Sequence, residues 1–91
     1  METLATVLLV EDHIVTRTFL ADNLAADGFA LLQAGNLSEA RELLERGYPD
    51  LALIDLTLPD GDGLELVRLV RTADGACSPI DPDLPVLVLT G

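Results

Sequence analysis

Glu11 with Asp12, Asp55 and Thr90 share one kind of placement: each follows directly on an apolar run. The runs are Thr6-Val-Leu-Leu-Val10, Leu51-Ala-Leu-Ile54 and Pro85-Val-Leu-Val-Leu89. They are continuous rather than alternating, as in strands covered on both faces. If such strands lie parallel and adjacent, three carboxylates converge on one pocket. At about 5 Å and an effective dielectric near 20, each pair of charges repels by roughly 3 kcal/mol. A cluster of this kind persists by raising a pKa, by facing water or by binding a cation. Oxygen-only donors suit Mg²⁺ (or Mn²⁺) better than zinc, and a bound divalent ion lets a phosphate enter an anionic pocket. The chemistry such a pocket permits is attack by a carboxylate on a phosphoryl group, giving an aspartyl phosphate. Asp55, the central member, is placed for that attack. The Thr90 hydroxyl, with backbone N–H groups after Asp55 and at Gly91, would then donate to the new phosphoryl oxygens.

The elements that must hold these residues alternate along the chain. Ile14 to Ala26 carries Val15, Phe19, Leu20 and Leu24 at helical spacing as an ordinary core face, with Gly28 as its stop. A weaker strand pattern covers Phe29 to Ala34. Asn36 with Glu39 reads as a capping box for a helix through Arg46, which buries Leu37, Ala40, Leu43 and Leu44 and ends at Gly47 before Pro49. After Asp55, Pro59-Asp-Gly-Asp-Gly63 is turn-rich, and Asp62 with Glu65 predicts the cap of a third helix carrying Leu66, Leu69 and Val70. Thr72 to Asp83, with Gly75, Pro79 and Pro82, reads as an exposed loop. Strands alternating with helices predict a parallel sheet covered on both faces, with functional residues at the carboxyl ends of the strands.

Composition narrows the function. The 91 residues hold 16 acids, 5 bases and a formal charge of −11, and all 5 bases are Arg. That charge argues against a nucleic-acid or anionic-membrane surface. No apolar run approaches a membrane span, and the start lacks the basic stretch of a signal peptide. One Cys, Cys77, allows no intrachain disulfide. A single cytoplasmic domain is expected.

Taken in order, Val7-Leu-Leu-Val-Glu-Asp12, Asp55-Leu-Thr-Leu-Pro59 with Asp62-Gly63, and Val86-Leu-Val-Leu-Thr90-Gly91 resemble the receiver domain of two-component response regulators. The resemblance implies an α/β flavodoxin-like (CheY-like) doubly wound parallel sheet of strand order 2-1-3-4. The family's fifth strand and last helices are absent from residues 1–91, so a single partial receiver domain, a fragment of a longer regulator, is expected. By the same resemblance Asp55 is the phosphoacceptor, and Glu11, Asp12, Asp55 and the Thr57 backbone carbonyl hold Mg²⁺. Thr90 is the switch hydroxyl beside Gly91, and Pro59, Asp62 and Gly63 shape the loop. A histidine kinase or phosphotransfer protein would supply the phosphoryl group and an effector outside the chain would receive the signal. The protein would be a phosphoacceptor that assists its own phosphorylation and dephosphorylation, not a conventional enzyme.

The family's phosphate-pairing Lys has no counterpart in these residues, which keeps open a phosphate-independent docking module. A haloacid-type phosphatase would need a second Asp where Thr57 stands. Stopping after the fourth strand would leave an open edge, through which self-association is expected.

Overall fold

The computed structural model describes residues 3–73 and 78–89. Gly75 and Cys77, along with Thr90 and Gly91, lie outside the described residues. The long strands are β1 (Thr6–Val10), β2 (Ala30–Ala34), β3 (Leu51–Asp55) and β6 (Val86–Leu89), and the helices are α1 (Ile14–Ala26), α2 (Leu37–Arg46) and α3 (Leu64–Arg71). Two short strands, β4 (Thr57–Leu58) and β5 (Gly61–Asp62), intervene between β3 and α3. The four long strands form one sheet in the order β2-β1-β3-β6, all pairings parallel, as the resemblance implied.

The pleat divides the apolar residues between two faces. Leu8, Val10, Ala52 and Ile54 pack with Leu37, Ala40 and Leu44 of α2 and Leu66 and Val70 of α3 in one buried cluster. Val7 and Leu9 point the opposite way and are also buried, on the face where α1 packs against β1 and β2. The continuous apolar run of β1 arises because both its faces are covered, whereas β6, read from its own continuous run as covered too, leaves Leu87 and Val88 exposed.

α2 begins as its capping residues predict. Asn36 accepts from the Glu39 N–H at 2.8 Å, while the Glu39 carboxylate reaches the Gly35 N–H at 2.9 Å, one residue short of a full capping box. At its end, Gly47 has φ −92°, outside the left-handed region, and Tyr48 takes φ 48° instead. Space demands the glycine: a Cβ there would overlap Leu32 and stand 2.8 Å from the Leu43 carbonyl oxygen.

Three expectations need correction. Val15 and Phe19, read as core, are 71% and 66% exposed, and the buried residue of α1 is Ala21. At about 100° per residue the stripe through Arg17, Ala21 and Leu24 turns Val15 and Phe19 roughly half a turn away from the sheet. The segment after α3 is not all exposed, because Ile80 and Leu84 enter the core. Arg71 pins its return, donating from Nη1 to the Pro82 and Leu84 carbonyls at 2.9 and 2.7 Å. The loop after Asp55 is a hairpin, β4 antiparallel to β5, with Thr57 opposite Asp62 and Leu58 opposite Gly61.

Candidate functional site

Sheet register brings the first two carboxylates together. Val10 pairs with Ile54, and one step further along both strands sets Glu11 beside Asp55. The Glu11 N–H bonds the Ala34 carbonyl at 3.0 Å, so the strand geometry continues past Val10. Asp12 then turns the chain towards α1. One carboxylate oxygen from each of Glu11, Asp12 and Asp55 lies within 4.8 Å of the others. Glu11 is buried, Asp55 half-buried and Asp12 exposed.

The electrostatics follow from that crowding. Glu11 is pushed up from an ordinary 4.5 to about 7, first by burial, then by hydrogen bonding to Asp55 and by the negative charges of Asp55 and Asp12. Arg17 opposes the rise. Its Nη1 donates to the Glu11 carbonyl at 2.9 Å, so the guanidinium supports the backbone of the acidic turn. Among the described residues Glu11 Oε2 is buried without a hydrogen-bond partner. Such an oxygen needs a proton, which it can donate to Asp55, or a cation.

The hairpin fixes Asp55 from the other side. Asp55 Oδ1 accepts from the Thr57 N–H at 3.1 Å, and the Gly63 N–H bonds the Leu56 carbonyl at 2.8 Å. Gly63 is buried against β3, where a Cβ would overlap the Asp55 carbonyl oxygen. Asp62 accepts from the Leu64 N–H at 2.9 Å, two residues on, and the N-cap position of α3 belongs to Gly63. The expected Asp62–Glu65 cap is therefore replaced by a tighter turn from Asp62 to Leu64, and the helix begins one residue later. Pro59 starts the hairpin's tip. His13 occupies the N-cap position of α1 without a side-chain cap bond.

Sequence reasoning missed Asp60, which it read as a turn residue. Asp60 Oδ1 accepts from the Leu37 N–H at 2.7 Å and Oδ2 from the Ser38 N–H at 3.2 Å, across more than twenty residues of sequence. No local pattern signals a partner so far along the chain.

The response regulator receiver domain family matches residues 7–91, and the chain belongs to that family. It is 42% identical to the virulence transcriptional regulatory protein PhoP of Salmonella typhimurium over 84 residues, covering 92% of this chain and 34% of that protein. It is 40% identical to the DNA-binding transcriptional activator DevR/DosR of Mycobacterium tuberculosis over 86 residues, 92% of this chain and 36% of that protein. The chain thus spans about a third of the length of these curated relatives. Among solved structures, the non-phosphorylated HemR receiver domain of Leptospira biflexa superposes with TM-score 0.81 at 34% identity, covering 93% of this chain and 63% of that one. A response regulator of Burkholderia pseudomallei with a phosphorylated aspartic acid, calcium ion and citrate gives 0.78 at 32%, covering 94% and 46%.

Proposed function

We propose that this chain is a phosphoacceptor module of a cytoplasmic two-component system, taking a phosphoryl group onto Asp55 from a histidine kinase or phosphotransfer protein. The carrying observation is the meeting of Glu11, Asp12 and Asp55 within 4.8 Å at the carboxyl ends of β1 and β3. The oxygen-only donor set and Glu11 Oε2, unpartnered among the described residues, fit a hard divalent cation such as Mg²⁺. Glu11, Asp12, Asp55 and the Thr57 carbonyl would hold it. When bound, the ion neutralises carboxylate charge and draws phosphate oxygens into the pocket.

Asp55 does the covalent chemistry. Its carboxylate oxygen attacks phosphorus, and the bond to the donor imidazole nitrogen breaks as the new O–P bond forms. The electron pair leaves with the nitrogen. The Thr57 N–H, already on Asp55 Oδ1, orients the carboxylate for that approach. Thr90 and Gly91, next after β6 in sequence, are proposed to hydrogen-bond the transferred group. The phosphorylated aspartic acid of the Burkholderia relative supports the reading. The product signals to an effector outside these residues, and the strongly acidic chain is assigned no direct contact with nucleic acid.

A second reading is a docking module whose partner binds whatever the state of the pocket. A small phosphodonor with Mg²⁺ separates the two. The phosphoacceptor reading expects a single phosphoryl adduct by intact-protein mass spectrometry, removed by hydroxylamine and absent from Asp55→Asn. A wild-type protein that takes no adduct under those conditions sinks it in favour of the docking module.

A further inference from the structure

We infer that Asp60 is a positioning residue for the Asp55 site: its carboxylate, clasped by two backbone N–H groups at the start of α2, fixes the β4–β5 hairpin and through it Thr57. The inference rests on the phosphoacceptor reading above. Each Asp60 oxygen meets its own donor, Leu37 N–H at 2.7 Å and Ser38 N–H at 3.2 Å. α2 already has a side-chain cap in Asn36, so the helix start is not left bare without Asp60. The hairpin is the element in need. It has only two residue pairs, and an isolated two-stranded ribbon is marginal even when far longer.

Packing supports the same anchorage. Leu58 of β4 and Leu37 of α2 are buried in one cluster, and Gly61 leaves room for Leu37, since a Cβ there would stand 2.5 Å from its Cδ1. Asp60 stays ionised near neutral pH because the Leu37 N–H holds its carboxyl below the usual range, outweighing desolvation, with help from the Ser38 N–H and the nearby charge of Arg41. At the base of the same hairpin Thr57 donates to Asp55 and offers the carbonyl assigned to the cation. Releasing the tip lets the base move. The tie thus acts on cation affinity through backbone placement, without touching the cation.

The test compares Asp60→Ala, Asp60→Asn and Asn36→Ala with the wild-type chain. Mg²⁺ affinity is measured by calorimetric titration, exchange of the Thr57 amide by NMR, and stability by thermal melting. Asp60→Ala is expected to weaken Mg²⁺ binding roughly tenfold, the lower end for groups that orient metal ligands, and to speed Thr57 exchange. Asp60→Asn keeps one acceptor oxygen and falls between, and it carries the test if the Ala variant does not fold. Asn36→Ala weakens α2 but leaves the hairpin's anchor in place, so it lowers the melting temperature while Mg²⁺ affinity stays at the wild-type value. Wild-type affinity in both Asp60 variants, with Asp55→Asn still abolishing phosphorylation, overturns this inference alone. A wild-type chain that binds no Mg²⁺ and takes no phosphoryl group overturns it together with the phosphoacceptor reading.

Discussion

At the scale of single residues the crowding of Glu11, Asp12 and Asp55 ties the protonation of the pocket to the cation proposed for it. Glu11, raised to about 7 against an ordinary 4.5, favours the protonated folded state. Its contribution to stability is fully present below pH 4.5 and is lost as pH rises through about 7. Cation binding works in the opposite direction, because the ion requires the ionised carboxylate. We therefore expect Mg²⁺ affinity to fall progressively below pH 7, and Mg²⁺ to raise the melting temperature more at pH 8 than at pH 5.5. Equal Mg²⁺-induced shifts at the two pH values would contradict the coupling. The convergence of Glu11, Asp12 and Asp55 was legible in the sequence because strand ends and a parallel sheet leave those side chains little choice of place. The charge state of Glu11 was not, since it depends on burial that no spacing rule supplies. Asp60 was illegible for a different reason: its partners are brought to it only by the folded hairpin.

Among the elements, the segment from Asp55 to α3 carries the most constraint per residue. Gly63 is fixed by the Asp55 carbonyl, so Gly63→Ala should cost about 1–3 kcal/mol from overpacking against backbone. Chemical denaturation would measure it, and a change below about 0.5 kcal/mol, the ordinary size for a surface substitution, would refute the contact. Tyr48 offers the reverse case. Left-handed backbone costs a side chain roughly 1–2 kcal/mol, so Tyr48→Gly should offset part of the lost tyrosine contacts and leave stability nearly unchanged or improved. The helices and long strands were readable because caps, glycines and apolar runs mark them in consecutive residues. β4 and β5 were not, because two-residue strands present no periodicity to read. The third helix was placed correctly, but its start was shifted by one because Asp62 closes on Leu64 rather than Glu65.

Considered as a whole, the molecule has one well-covered sheet face and one thinly covered one. α2 and α3 close the first, while α1 shields β1 and β2 on the second and turns Ile14, Val15 and Phe19 to solvent. Val15→Ser and Phe19→Gln should therefore shift stability by no more than about 0.5 kcal/mol, whereas Leu66→Ala should cost about 2–5 kcal/mol. Comparable losses at all three positions would mean that α1 is buried in solution. The sequence revealed the apolar content of α1 without revealing its direction, because the helix is apolar on more than one side. Among the described residues β6 has a single strand partner, β3, and the successive side chains Leu87 and Val88, which point to opposite faces, are both exposed. Its backbone should therefore trade protons with solvent well before β1, which is flanked on either side. If so, the sheet is uneven in temper: the central strand that carries Glu11 is laid down firmly, while β6, beside the strand that ends at Asp55, is the more loosely moored.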